Sequence, residues 1–460
     1  MDPGTLERTR NVNEGREVTI STATPSNAIE LIAASTSASA GSQPPAWRVE
    51  RWLLKRLLIA LGNVPLTVQL WDGTEVAAVD GSRNARMIVR DRPTLWKLIL
   101  DPTFQFGEGY ATGRIDVDGS LDELLRAVNT RCTGGRAGIV PGWVHRPRRN
   151  TLSGSQKNIH HHYDIGNDFY ELWLDEQLAY TCAYFSRPSQ SLEEAQVAKM
   201  DHVCRKLWLR KGETVVEAGC GWGALALHMA RQYGVTVEAY NISSEQIAYA
   251  RQRANDENLA DRVKFIQDDW RNIKGRYDAF VSVGMLEHVG LANYGRLGDV
   301  IARSLHKGGR GLIHTIGQNY PRPFDRWTQQ RIFPGAYPPT LAQMMNIFEK
   351  KGFSVLDVEN LRLHYAETLR HWWERYERSA DVVAKMFDER FLRMWRLYLA
   401  ASMVAFQVGN LQLFQVVFAP GRSNGVPRTR EYQYADVDLM FAEGSDSPLP
   451  GEGPWNTATS

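Results

Sequence analysis

A turn with glycine at every second position, Gly219-Cys-Gly-Trp-Gly223, limits what this chain can fold into more than any other feature. It follows the β-rich run Thr214-Val-Val-Glu-Ala218 and opens a helical stretch near Ala224. Glycine permits left-handed backbone and lets the main chain approach a ligand closely. Four further β-rich runs, Val235-Thr-Val-Glu-Ala239, Val263-Lys-Phe-Ile266, Ala279-Phe-Val-Ser-Val283 and Gly311-Leu-Ile-His-Thr315, alternate with helical stretches. That alternation is the pattern of a doubly wound α/β sheet. Two more candidate strands, Ser354 to Val358 and Leu411 to Phe418, flank a helical insertion from about Glu367 to Val408. The expected fold is a seven-stranded Rossmann-like α/β domain with a helical insertion.

Upstream, residues 46–130 read as a small α+β domain. Trp47, Leu53, Leu54, Leu57, Leu58 and Leu61 recur at helical spacing beside Arg48, Arg51, Lys55 and Arg56, which makes a basic amphipathic helix. Such a helix either packs on its domain with a solvated basic face or meets anionic lipid headgroups. Strand-like Leu66-Thr-Val-Gln-Leu70 and Ala85-Arg-Met-Ile-Val89 follow, then a helix with its stripe at Leu121, Leu124, Leu125 and Val128. Residues 1–45, rich in Ser, Thr and Ala, read as a disordered leader with no signal peptide or membrane span. Residues 131–157 set Arg131, Arg136, Arg146, Arg148 and Arg149 among glycines and prolines, as a mobile basic linker does. Residues 158–425 form the catalytic domain, and 426–460 a Gly-, Pro-, Ser- and Asp-rich tail. With 54 basic against 52 acidic side chains, the overall balance does not point to nucleic acid. Cys132, Cys182, Cys204 and Cys220 form no CxxC pair, so reduced thiols in the cytoplasm are expected and not a zinc or redox motif.

A glycine turn of this kind serves either a dinucleotide or S-adenosylmethionine. Its GxGxG spacing departs from the GxGxxG dinucleotide fingerprint, and later motifs favour a methyltransferase over a dehydrogenase. The second strand ends in Ala239-Tyr-Asn-Ile-Ser243, where most enzymes of either kind place an acid for the ribose hydroxyls. Glu238 lies too early, and Asn241 and Gln246 offer neutral hydrogen bonds instead. After the third strand, Asp268-Asp-Trp-Arg271 either flanks an adenine ring or forms a solvated turn around one packing tryptophan. His160-His-His162 points its rings in different directions and has no carboxylate or thiol partner, so no metal is assigned.

Five segments in order, His161-His-Tyr-Asp-Ile-Gly-Asn167, Tyr180-Thr-Cys-Ala-Tyr184, the glycine turn, Gly284-Met-Leu-Glu-His288 and His314-Thr-Ile-Gly317, resemble the cyclopropane fatty acid synthases and mycolic acid cyclopropane synthases. The likeness runs from about Pro65 to Asn424. It implies a class I methyltransferase whose S-adenosylmethionine is contacted by Tyr180, Thr181, Gly219, Gly221, Asn241, Gln246 and Trp270. Family members also carry a Thr/Asn-x-Ser-x-x-Gln segment after the second strand, so the missing acid belongs to the pattern. The resemblance further implies a bicarbonate ion held by Glu287, His314 and Tyr365, with Cys182 and Ile316 acting mainly through their backbone. Where many members have a cysteine in the late helix, Ser402 stands here and is read as pocket lining. The aromatics Trp372, Trp373, Tyr376, Phe387, Phe391, Trp395, Tyr398 and Phe406 either wall an acyl tunnel or pack helices together.

The expected chemistry is methylene transfer to unsaturated phospholipid acyl chains. An isolated alkene is a weak nucleophile, so the site must align the sulfonium methyl with the π bond and exclude water. Methylation leaves a carbocation, and ring closure needs a base at the new methyl. By the resemblance that base is bicarbonate, with Glu287 accepting its hydrogen bond and His314 and Tyr365 donating to it. Proton loss from a neighbouring carbon would instead give a methylene- or methyl-branched chain. A small-molecule N-methyltransferase and a non-enzymatic lipid-binding protein are more distant alternatives. A phospholipid substrate implies peripheral association with an anionic membrane surface from the cytoplasm, and the resemblance implies a homodimer.

Overall fold

The computed structural model describes residues 43–79, 85–132 and 165–434. The leader up to residue 42, the linker residues Arg136, Arg146, Arg148 and Arg149, the run His160 to His162 and the tail from residue 435 lie outside the described residues. From Ala46 onward the chain forms one unit. Its first part holds α1 (Arg48–Ala60), β1 (Thr67–Gln69), β2 (Glu75–Ala77), β3 (Ala85–Val89), α2 (Arg92–Leu100), α3 (Pro102–Ala111), β4 (Ile115–Gly119) and α4 (Leu121–Cys132). The strands lie in the order β2-β1-β3-β4, with β1 and β3 parallel and the outer pairs antiparallel.

Apolar periodicity marks β1, β3, α1 and α4 but passes over β2, β4, α2 and α3. The two strands are short or, as in Ile115-Asp-Val-Asp-Gly119, interleaved with acids. The two helices are started by Asp and Pro: Asp91 accepts the Thr94 amide and Asp101 that of Phe104, each with proline in the first turn.

Seven strands build the second sheet: β5 (Thr214–Ala218), β6 (Thr236–Asn241), β7 (Val263–Gln267), β8 (Tyr277–Val283), β9 (Leu305–Gly317), β10 (Phe353–Asn360) and β11 (Gln412–Pro420). Their order is β10-β11-β9-β8-β5-β6-β7. β5 to β9 are mutually parallel, and β11 is antiparallel to both of its neighbours. The order reverses between β5 and β8, so the carboxyl ends of these strands open the crevice where such sheets bind ligands. Around the sheet lie α5 (Asn167–Glu171), α6 (Leu192–Lys206), α7 (Ala224–Tyr233), α8 (Ser244–Asp256), α9 (Leu286–Val289), α10 (Tyr294–Ser304), α11 (Arg326–Arg331) and α12 (Leu341–Phe348).

The insertion comprises three helices, α13 (Arg362–Arg378), α14 (Ala380–Met386) and α15 (Glu389–Gln407), and starts at Arg362, ahead of the expected Glu367. Asp388 starts α15 by accepting the Phe391 amide. Phe169 of α5 lies edge-on to Trp395, Phe391 and Phe387, with ring centroids 5.0, 5.3 and 5.5 Å away. This aromatic core continues into Phe104, Tyr110, Leu121 and Leu125 of α3 and α4. Arg393 of α15 crosses the same boundary and donates to the carbonyls of Tyr110 and Ile115 at 2.6 and 3.0 Å. The helices beside the small sheet and the insertion of the large one therefore share one core.

Candidate active site

The three glycines of the turn have φ of 87°, 54° and 87°, but they do different things. A Cβ on Gly223 would lie 2.6 Å from the Phe265 ring and 2.9 Å from Ala250, so this glycine seats α7 against β7 and α8. A Cβ on Gly221 would enter open space. Asn241, at the end of β6, donates through Nδ2 to the Gly221 carbonyl at 3.3 Å and to Gln246 Oε1 at 2.7 Å, and its Oδ1 accepts the Ile242 amide at 2.8 Å. Gln246 is buried in the first turn of α8, so turn, strand end and helix start form one polar rim. Trp270, after β7, is buried with the Arg271 guanidinium 4.7 Å above its ring, and Arg271 pairs with Asp269 at 2.8 Å.

Tyr180, Thr181 and Cys182, on the loop before α6, border a pocket of about 800 Å³ including its mouth. Glu287 of α9, His314 and Ile316 of β9 and Tyr365 of α13 line the same pocket. All five residues expected at the anion thus meet, with two of those expected at the cofactor. Gly219, Gly221, Asn241, Gln246 and Trp270 do not line it. The rest of the wall includes Gly284, His288, Phe324, Thr328 and Phe333, with Tyr398, Ser402 and Phe406 from α15. Among the insertion aromatics, Tyr365, Tyr398 and Phe406 face the pocket, while Trp372, Trp373, Tyr376, Phe387, Phe391 and Trp395 pack in the core. The hydroxyls of Tyr180 and Tyr398 lie 2.9 Å apart and join the loop to α15.

Burial sets the charge states. Glu287 Oε1 accepts the Ile316 amide at 2.5 Å, Oε2 is buried with no hydrogen-bond partner among the described residues, and desolvation, opposed by the Ile316 amide and the Thr315 hydroxyl, pushes the carboxyl up to about 7. His314 is pushed down to about 3 by burial, then by the charges of Lys199 and Lys206, so its ring is neutral. Gln415 Nε2 donates to His314 Nδ1 across 3.1 Å, which leaves the ring proton on Nε2, itself buried without a partner. Burial lowers His288 to about 4 and drives the Cys182 thiol far up, so Cys182 stays protonated and is no nucleophile.

The loop is held by residues that motif reading passes over. Asp175 accepts the amides of Gln177 and Ala179, both at 3.0 Å. Gln196 of α6 donates to the carbonyls of Ala179 and Thr181 at 3.0 and 2.9 Å, and Lys199 donates to Thr181 Oγ1 at 2.8 Å. A signal was present: Gln196 and Lys199 interrupt the buried face of α6 that carries Leu192, Ala195, Met200 and Val203. Polar side chains on such a face need partners.

The family model described as Mycolic acid cyclopropane synthetase matches residues 151–416, more than half of the chain, and one described as a domain of unknown function (DUF7884) matches residues 53–133. A probable fatty acid methyltransferase of Pseudomonas putida is 34% identical over 386 residues, covering 81% of this chain and 97% of that protein. The cyclopropane-fatty-acyl-phospholipid synthase of Escherichia coli K12 is 39% identical over 361 residues, covering 76% of this chain and 91% of that protein. The solved structure of mycolic acid cyclopropane synthase CmaA1 complexed with SAH and CTAB aligns with a TM-score of 0.55 at 28% identity, over 57% of this chain and 97% of that one.

Proposed function

This chain belongs to the mycolic acid cyclopropane synthetase family of S-adenosylmethionine-dependent methyltransferases, and from that premise we propose that it bridges cis double bonds of unsaturated phospholipid acyl chains with a methylene group. The observation that carries this reading is that Glu287 Oε2 and His314 Nε2, buried in residues that line a largely apolar and aromatic pocket, have no hydrogen-bond partner among the described residues. Each such atom costs roughly 1–3 kcal/mol when left unpaired. One acceptor and one donor at the wall of the same pocket suit bicarbonate, a small planar anion that both donates and accepts.

The open space at Gly221 and the Asn241–Gln246 rim fit the nucleoside part of the cofactor. Tyr180, Thr181, Gly219, Gly221, Asn241, Gln246 and Trp270 would hold it. S-adenosylmethionine supplies the electrophilic methyl group, and bicarbonate the base. The π electrons of the alkene form a carbon–carbon bond as the carbon–sulfur bond breaks, and the resulting cation closes to a ring when the added methyl loses a proton. His314 offers its Nε2 proton, Tyr365 completes the donor set, and Glu287, ionised above about pH 7, accepts. Ile316, whose amide already binds Glu287, positions that carboxylate. The aromatic wall keeps water from the cation.

A second reading has the proton leave a neighbouring carbon, which gives a branched chain. The likeness to a probable fatty acid methyltransferase supports keeping it. Incubation with unsaturated phospholipid vesicles and labelled cofactor, followed by proton NMR of the lipid, separates the two. An upfield ring-methylene signal is expected, and a vinylic or branched-methyl signal in its place would establish the second reading.

A phospholipid substrate would also bring the protein to a membrane. No described helix is long and apolar enough to cross one, but α1 offers a surface. Leu54 and Leu58 turn inward, while Trp47, Val49, Trp52 and Ile59 stay exposed beside exposed Arg48, Lys55 and Arg56. Aromatic rings among cations suit an anionic phospholipid surface. Co-sedimentation with anionic vesicles should fall for the double variant Trp52→Ser, Arg56→Glu, and undiminished binding would remove α1 from the contact.

A further inference from the structure

Two buried charges beside the pocket have no part in the chemistry above. Lys199 of α6 is 3% exposed, and among the described residues its ammonium makes one hydrogen bond, to Thr181 Oγ1. Glu217 of β5 is 2% exposed, and its Oε2 has no partner. Val215 of β5 and Leu312 of β9 share a core with Met200 and Val203 of α6. Side chains two residues apart on a strand face the same way, so Glu217 and His314 also face that helix. Lys199 and Glu217 act on each other electrostatically without forming an ion pair. Asp175, the acid that acts most on Lys199, is occupied by the amides of Gln177 and Ala179.

An ammonium with three donors and one acceptor is expensive to bury. Lys199 reaches the pocket through Thr181, which borders it. We infer that Lys199, acting through Thr181, is the positioning residue for the α-carboxylate of S-adenosylmethionine. Burial moves Lys199 down against the charges of Asp175 and Glu217, and moves Glu217 up to about 8 against the charge of Lys199. The inference rests on the cofactor assignment and extends it to a lysine that no motif marks.

The test is calorimetric titration of the full chain with S-adenosylmethionine and with its decarboxylated analogue, which lacks only the α-carboxylate. The wild type should prefer S-adenosylmethionine by about tenfold or more, equivalent to ~1.4 kcal/mol. Lys199→Met should bring that ratio close to one by weakening S-adenosylmethionine alone. Thr181→Ala, which removes the hydroxyl and keeps the charge, should shrink it partly and provides the reading if the lysine variant does not fold. A ratio unchanged in both variants, or equal weakening of both compounds as a merely structural lysine would give, overturns the inference. Absence of binding of either compound to the wild type would overturn the cofactor assignment itself.

Discussion

The cofactor rim and the reaction pocket are neighbours built on opposite plans. The rim comes from consecutive elements, β5 through α8, within residues 214–256 apart from Trp270, and Asn241 already bonds Gly221, Gln246 and Ile242. The pocket draws on residues from Tyr180 to Leu413 and leaves Glu287 Oε2 and His314 Nε2 buried and unpaired. A rim of short-range contacts can be specified locally and offers a shape. A pocket of long-range contacts can hold polar groups short of partners, which a small anion would complete. Damage to the rim should appear first in binding or stability, and damage to the pocket in turnover.

The largest test is Glu287→Gln. Loss of the accepting carboxylate should lower turnover by roughly 10²–10⁴-fold while S-adenosylmethionine affinity stays nearly constant. The stability effect runs the other way. The carboxyl titrates at about 7 in the native protein against an ordinary 4.5, so the native state binds its proton more tightly. Wild-type stability therefore falls as pH rises from 4.5 through 7, by about 3 kcal/mol once the group is ionised. Glu287→Gln should be the more thermostable protein at pH 8, with the difference gone near pH 4. Unchanged turnover would remove Glu287 from the chemistry, and unchanged thermal stability at pH 8 would mean that its ionisation is not opposed by burial.

Within the rim, two glycines sharpen the contrast. Gly223→Ala meets Phe265 and Ala250 at 2.6 and 2.9 Å on a left-handed backbone, which should cost about 2–4 kcal/mol of stability. Gly221→Ala meets nothing and should cost only the backbone strain of about 1–2 kcal/mol. Its methyl, however, would enter the space proposed for the cofactor, so S-adenosylmethionine affinity should fall well beyond what that strain explains. Denaturant melts and calorimetry on the two variants check this, and equal affinities would show that the open space at Gly221 is not the cofactor's.

This division also explains what the sequence could show. The strands β5 to β9 and the rim announce themselves because β-branched runs, glycines and Asn241 lie close together in the chain. Glu287, His314 and Tyr365 carry no local signal, since a lone histidine or tyrosine on an apolar element is usually structural, and only their order within a known family marks them. That they line one pocket, that Glu287 binds the Ile316 amide, and that Lys199 holds Thr181 depend on how α6, α9 and β9 pack. Helices α2 and α3 escaped because capping by Asp91 and Asp101 starts them without an apolar stripe. The pair of Glu108 on α3 with Arg331 escaped with them.

The pH profile is the next test in size. If turnover needs ionised Glu287, kcat should fall about tenfold per unit below pH 7, while cofactor affinity, set at the rim, falls less steeply through that point. Profiles measured at saturating bicarbonate distinguish loss of the acceptor from loss of the anion. A kcat flat from pH 8 to 5.5 would contradict the assignment.

The smallest expected effect tests whether the pocket reaches into the N-terminal elements. Glu108 of α3, outside the residues 151–416 matched to the family, accepts Arg331 Nε and Nη2 at 2.7 and 2.8 Å and the Trp327 indole at 3.1 Å. Both partners sit at α11, which carries Thr328 of the pocket wall and lies between Phe324 and Phe333. The pair is partly exposed, at 38% for Arg331 and 20% for Glu108, so its loss in Glu108→Gln should cost only about 1 kcal/mol. That is enough to loosen α11 and raise KM for the acyl substrate roughly fivefold, with S-adenosylmethionine affinity unmoved. Arg331→Gln should do much the same, and the double variant less than the sum of the two, because both remove the Glu108–Arg331 pair while Glu108 also meets Trp327 and Arg390. Additive losses, or an equal loss of cofactor affinity, would mean that α3 stabilises the whole protein and does not shape the acyl pocket.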